Sequence, residues 1–160
     1  MGQTLRTLIE PADVAIFSSP LGRTLHTAAI IAKALGVNKE IIADPRLKEV
    51  GMGAWDGLTG SEIDAGWPQA RDGLGPHEWF FHSPDGETYA LMAERLRTAL
   101  QDIAGHKTAT KIIVSHGVSG RILRGLYLGL EKDTALALEV PQDALFRLEG
   151  TSVERIACIE

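Results

Sequence analysis

At 160 residues, with 44% apolar and 23% charged residues, the chain has the composition of one globular domain with a sizeable core. A net charge of −5 argues against a general nucleic-acid or membrane surface, so an anionic partner has to be held by a local cluster of Arg and His. The single cysteine, Cys158, excludes an internal disulfide framework and a cysteine-based zinc site, and no stretch reaches transmembrane length. No apolar signal-peptide core stands near the N-terminus, and Arg6 occupies the position where a myristoylation signal has Ser or Thr, so a cytoplasmic location is expected.

In chain order, Leu5, Leu8 and Ile9 read as the last turns of an amphipathic helix ended by Pro11. Val14-Ala15-Ile16-Phe17 is a short apolar run bounded by Asp13 and Ser18-Ser19-Pro20, hence a buried strand. Leu21, Leu25, Ala28, Ala32 and Leu35 form a helix stripe with Gly36 as its stop, and Ile41-Ile42-Ala43 reads as another strand before Asp44-Pro45. From Arg46 to Gly86 the pattern is irregular, rich in glycine, and holds all three tryptophans, Trp55, Trp67 and Trp79. Thr59-Gly60-Ser61-Glu62 has the form of a capping box, and positions 60–85 read as a cap-like insertion that makes a lid or binding wall. Tyr89, Met92, Leu96, Leu100 and Ile103 mark a helix stopped by Gly105. The β-branched run Ile112-Ile113-Val114 suits a strand buried on both faces, and the stripe Val118, Ile122, Leu126 and Leu130 predicts a helix behind it. Ala144–Leu148 and Val153–Cys158 read as a closing hairpin with its turn at Gly150. Strands alternating with helices indicate one α/β domain, with a largely parallel sheet covered on both faces.

In such sheets ligands bind beyond the carboxyl ends of the strands. Two strand ends bear polar signatures, Ser18-Ser19-Pro20-Leu21-Gly22-Arg23 and Ser115-His116-Gly117. His116 falls where a strand ends and a helix begins, a natural anion site of free N–H groups, and Gly117 lets backbone and ligand approach. Arg23, off the apolar stripe in the first turn of its helix, can reach the same edge.

With these residues the chain resembles the histidine phosphatase superfamily, also called phosphoglycerate mutase-like. Three separated motifs support the match: Ser18-Ser19-Pro20-Leu21-Gly22-Arg23-Thr24, continuing through Thr27-Ala28; Leu47-Lys48-Glu49-Val50-Gly51-Met52-Gly53-Ala54-Trp55-Asp56-Gly57-Leu58-Thr59; and Ser115-His116-Gly117. Pro84-Asp85-Gly86-Glu87 is similar to the family's Pro-x-Gly-Glu helix start. The resemblance runs from about Leu5 to the C-terminus and implies a three-layer phosphoglycerate mutase-like fold with a pocket for phosphoryl transfer. In the family one histidine attacks phosphorus and becomes phosphohistidine, two arginines and a second histidine hold the oxygens, and an acidic residue protonates the leaving oxygen. By resemblance Arg23 is the helix-borne phosphate arginine, His116 the second histidine, with Gly117 beside it at the phosphate, and Glu49 the proton donor. Arg binds phosphate oxygens as a fork, and His donates to them near neutral pH. Glu49 can act as an acid only when protonated, which burial under Trp55 or an incoming anion would favour. The resemblance implies no cofactor and no metal. The expected partner is a small phosphorylated substrate, with a homodimer left open and neither nucleic acid nor membrane expected.

The family's Arg-His-Gly motif, at the end of a first strand, has no counterpart in these 160 residues. The single domain, 1–160, is therefore expected to be N-terminally incomplete, with its first strand missing from the middle of the sheet. Three accounts stand: an internal Met of a longer protein, a shortened relative that binds phosphorylated ligands without turnover, or a sheet completed by another chain. The first is preferred, because a helix opened halfway at a Met resembles a cut. The function expected is phosphate monoester hydrolysis, inactive or impaired without the nucleophile; the alternatives are phosphoglycerate mutase activity and a non-catalytic phosphate-binding module. His26, His77, His82 and His106 are poor substitutes, since none directly follows a strand in a glycine-rich turn. Arg121 and Arg124 read as surface charges opposite the apolar helix face, while Trp55 and Trp79 fit core and substrate wall equally. Ser18 and Ser119 read as turn and cap residues, and no Gly-x-Ser-x-Gly, Walker or dinucleotide pattern occurs.

Overall fold

The computed structural model describes residues 1–158. In chain order it contains α1 (Gly2–Leu8), β1 (Val14–Ser18), α2 (Gly22–Leu35), β2 (Ile42–Ala43), α3 (Gly60–Gly66), α4 (Tyr89–Ala104), β3 (Thr110–Val114), α5 (Gly117–Leu128), α6 (Lys132–Leu136), β4 (Ala144–Glu149) and β5 (Ser152–Ala157). Short 3-10 turns fill Pro11–Asp13, Pro45–Leu47, Gly53–Trp55 and Trp79–His82.

β1 lies between β2 and β3 and pairs with each in parallel. Its five residues are all buried, because alternate side chains enter different layers of core. Val14 and Ile16 pack with Ala28, Ile31 and Leu35 of α2, and with Leu5 and Ile9 at the end of α1. Ala15 and Phe17 pack on the opposite face with Met92, Leu96 and Ile103 of α4 and Ile122 of α5. The result is a three-layer α/β sandwich. Gly36 closes α2 in the left-handed conformation at φ 69°, where its N–H and that of Val37 reach back to Lys33 and Ala32. Thr88 caps α4 by accepting the Leu91 N–H at 3.3 Å.

The hairpin β4–β5 turns at Gly150, whose φ is 59°, and pairs from Ala144↔Ala157 to Glu149↔Ser152. It forms a sheet of its own, separate from β2-β1-β3. Among the described residues β3 hydrogen-bonds to β1 alone, so one edge of β3 and one edge of β4 are unpaired.

Three expectations need correction. Ile112 and Ile113 are half-buried rather than sealed on both faces, because β3 is an edge strand here. The helix behind it stops at Leu128, where Gly129 takes φ 66°, so Leu130 lies outside the helix. Arg121 and Arg124 are not surface charges. α5 is covered on a second side by α6 and the hairpin, which leaves Arg124 only 7% exposed. Its guanidinium lies 3.8 Å over the Phe146 ring and donates to the carbonyls of Gly120 and Glu139; burial pulls its pKa below the ordinary arginine value. Arg121 donates to the Leu138 carbonyl at 2.6 Å.

α5 and α6 approach closely at Gly125, where a Cβ would stand 2.3 Å from the Ala135 Cβ. Gly125→Ala should therefore destabilise the fold by about 1–3 kcal/mol through overpacking, measured by denaturant unfolding. Adding Ala135→Gly should recover part of the loss.

Candidate active site

The parallel register of β1 and β3 pairs Ser18 with Val114, so both strands end at the same level. One step further on, the Ser19 N–H donates to the Val114 carbonyl at 2.9 Å. From this level Pro20-Leu21 leads into α2 and Ser115-His116 into α5, and both helices begin at the carboxyl edge of the sheet. Arg23, on the first turn of α2, and His116, immediately before α5, meet there: Arg23 Nε lies 3.1 Å from His116 Nδ1. The other ring nitrogen, Nε2, is 2.8 Å from the Ser19 Oγ.

Glu49 completes the cluster from the loop after the Pro45–Leu47 turn. Its carboxylate accepts the N–H of Val118 at 3.1 Å and that of Ser119 at 3.0 Å, and so caps the first turn of α5. A Cβ at Gly117 would make only ordinary contacts, 3.4 Å from Val140 and 3.8 Å from the Glu49 Oε2, so the approach of Glu49 does not depend on a glycine there. Ser119 is fully buried, accepts the His116 N–H at 3.0 Å and donates to Ser115 at 3.2 Å. The structure thus brings Arg23, Glu49, His116 and Gly117 to one helix N-terminus.

Trp55, expected near Glu49 as a cover, is fully buried with its ring against Trp67 and Trp79, while the Glu49 carboxylate engages α5. Trp55 is therefore core, and the half-buried Trp79 packs against the same core. The remaining histidines are engaged elsewhere or exposed. His77 pairs with Arg121 at 3.2 Å, His106 with Thr108 at 3.0 Å, His82 lies 3.9 Å from Glu78, and His26 is exposed on α2.

Two residues escaped the sequence reading. Arg95, on α4, forms an ion pair with Glu87 and donates to the carbonyls of Arg46, Lys48 and Glu49 at 2.6–3.2 Å. With Glu87 N–H on the Gly51 carbonyl at 2.7 Å, it clamps the loop that bears Glu49. The available signal was Glu87 in Pro84-Asp85-Gly86-Glu87, followed on the next helix by Arg95. Beside this clamp lies a cavity of about 530 Å³ lined by Lys48, Glu49, Asp56, Asp85, Glu87 and Arg95. Ser19 is the second residue; in sequence it is hidden as one letter of a turn.

The electrostatics favour an anion. His116 is pulled below its ordinary pKa of 6.5, first by burial and then by the positive charges of Arg23 and Arg95, with Glu49 opposing. An imidazole beside a guanidinium that has no carboxylate partner among the described residues becomes a better donor once an oxyanion arrives. Among the described residues no group of three or more His, Cys, Asp or Glu is arranged to hold a metal ion, and no helix is long and apolar enough to cross a membrane.

The model of the histidine phosphatase superfamily (branch 1) matches residues 2–156. The chain belongs to the histidine phosphatase superfamily. Among curated relatives, the probable phosphoglycerate mutase GpmB of Erwinia tasmaniensis is 31% identical over 157 residues, covering 98% of this chain and 67% of that protein. The GpmB of Photorhabdus laumondii is 35% identical over 140 residues, covering 84% of this chain and 62% of that protein. The chain therefore spans only about three fifths to two thirds of the length of these family members. Among solved structures, the mycobacterial glucosyl-3-phosphoglycerate phosphatase with inorganic phosphate superimposes with TM-score 0.73 at 25% identity, over 99% of this chain and 81% of that one. Bacillus stearothermophilus YhfR gives TM-score 0.72 at 25% identity, with coverages of 99% and 81%. The Shigella flexneri alpha-ribazole phosphatase shares the fold, with TM-score 0.71 at 17% identity, over 98% of this chain and 79% of that one.

The lowered pKa of His116 means the unfolded chain binds a proton near pH 6.5 that the folded chain refuses until lower pH. Folding is unpenalised by this group above pH 6.5 and loses stability as the pH falls through the folded value. Tm should drop below pH 6.5, and His116→Gln should flatten that drop. Arg95→Leu should free the Glu49 loop and raise the hydrogen-exchange rates of the Val118 and Ser119 amides by about tenfold.

Proposed function

We propose that the protein is a phosphate monoester hydrolase of the histidine phosphatase type, and that this chain supplies its phosphate-holding half. The observation that supports this best is the 3.1 Å meeting of Arg23 with His116 beyond the ends of β1 and β3, at the N-terminus of α5. A dianionic phosphoryl group fits between a guanidinium fork, an imidazole and the Gly117 N–H at the start of α5 without a metal to neutralise it.

In this reading Arg23, His116 and the Gly117 turn hold the phosphoryl oxygens. A histidine nitrogen from an Arg-His-Gly strand attacks phosphorus, the bond from phosphorus to the ester oxygen breaks, and protonated Glu49 gives its proton to the leaving oxygen. Glu49 then takes a proton from water as the water oxygen attacks the phosphohistidine. Orthophosphate leaves and the imidazole is restored.

The nucleophile strand is proposed to precede residue 1 and to seat on the unpaired edge of β3, between β3 and β4. The half-buried Ile112 and Ile113, and the separation of β4–β5 from the main sheet, support this placement. Residues 60–85 form a short cap in the same proposal, tied down by the His77–Arg121 contact and the Glu78–Lys132 ion pair. That brevity favours hydrolysis over mutase activity. A small phosphorylated molecule in the cytoplasm is the proposed substrate class.

The chain as it stands should show no turnover of p-nitrophenyl phosphate. A version extended upstream through an apolar strand ending in Arg-His-Gly should turn it over, and Arg23→Ala in that version should lower kcat/KM by about 100-fold or more. Turnover by the short chain would contradict the assignment of the nucleophile. Phosphate binding without turnover in the extended version would point to a non-catalytic module.

A further inference from the structure

An arginine side chain donates hydrogen bonds and accepts none, so the 3.1 Å contact from Arg23 Nε makes His116 Nδ1 an acceptor. The proton of the neutral ring is then on Nε2, which faces the Ser19 Oγ at 2.8 Å. That hydroxyl is a fixed point. Ser19 is fully buried, and its N–H is bound to the Val114 carbonyl at 2.9 Å. The Ser19 carbonyl accepts the hydroxyls of Ser18 and Thr24, each at 2.9 Å. The Leu21 N–H points at the same Oγ from 3.4 Å.

We infer that Ser19 is the positioning residue of His116: its Oγ accepts the Nε2–H and leaves Nδ1 as the nitrogen offered to the anion shared with Arg23. An oxygen acceptor at Nε2 serves both ring states, and it holds the imidazolium more strongly because a charged donor makes the stronger hydrogen bond. The ring can therefore gain a proton at Nδ1 without turning. When an oxyanion draws the Arg23 fork away, Nδ1 takes up a proton and donates to the anion, while Ser19 keeps the ring plane and height unchanged. This resembles the way a second partner orients a catalytic or metal-binding imidazole. The assignment deepens the phosphate-site reading and rests on it for the identity of the anion, but not for the state of the ring.

The test is long-range 1H–15N correlation NMR of the His116 ring in this chain, ligand-free and titrated with inorganic phosphate. At alkaline pH the ligand-free wild type should show a protonated Nε2 and an unprotonated Nδ1; the reverse pattern overturns the inference. Ser19→Ala removes the Nε2–H acceptor, which holds the charged ring more strongly than the neutral one, so it should lower the pH midpoint of ring protonation and weaken phosphate binding about tenfold. Ser18→Ala, equally buried with its hydroxyl on the Ser19 carbonyl, should leave the midpoint unchanged and control for general loosening. An unchanged midpoint in Ser19→Ala overturns the inference. If the wild type shows the expected ring state and Ser19→Ala the midpoint shift, yet the wild type binds no phosphate, the positioning role stands and the phosphate reading fails.

Discussion

Everything at the site depends on the parallel register between Val14–Ser18 and Thr110–Val114. Pairing Ser18 with Val114 brings the two strand ends level, and the Ser19–Val114 hydrogen bond extends that level one residue past the sheet. Residues 93 and 97 positions apart then meet as Arg23–His116 and Ser19–His116 contacts. A slip of one residue would shift the strand ends by about 3.3 Å and turn every side chain of β1 to the opposite layer. Two apolar cores, with Val14 and Ile16 in one and Ala15 and Phe17 in the other, oppose such a slip. Burial of the sheet and assembly of the site are therefore one event.

The acidic chain makes its cationic spot locally. Arg23 and His116 stand at the positive end of α5, while the Glu49 carboxylate caps the next N–H groups and is anchored by the Arg95–Glu87 clamp. The clamp works through backbone carbonyls of residues 46, 48 and 49, so it sets the position of Glu49 without contacting its carboxylate. Such an arrangement holds a carboxylate next to a guanidinium and an imidazole in a chain whose net charge is −5. Buried Arg124, far along the same helix, shows a different use of charge: it ties α5 to the hairpin through carbonyls and the Phe146 ring.

The layers, the order of elements, the hairpin turn at Gly150 and the strand-end location of His116 were legible in the sequence, because period and turn chemistry report them directly. The convergence of Arg23 on His116 was legible as reach from a first helical turn. Other features depend on contacts between distant segments. Helical periodicity marked one face of α5 as polar, yet α6 and the hairpin cover it and bury Arg124. β-branching suggested a sealed β3, but strand propensity does not say how many neighbours a strand has. Arg95 and Ser19 bear no mark in the sequence, since hydrogen bonds to distant carbonyls and rings leave no local pattern. Trp55 was ambiguous for the same reason, until Trp67 and Trp79 enclosed it.

The family relationship covers nearly the whole chain but only about three fifths to two thirds of its curated relatives, so the central proposal concerns these residues by themselves: that they hold a phosphoryl group. Mapping inorganic phosphate onto the chain by backbone-amide and arginine-side-chain NMR tests this most directly. The Arg23 Nε–H and the Gly117, Val118 and Ser119 amides should shift together along one saturation curve. Shifts that leave these groups still and gather instead on Arg147 and Arg155 of the hairpin would contradict the account.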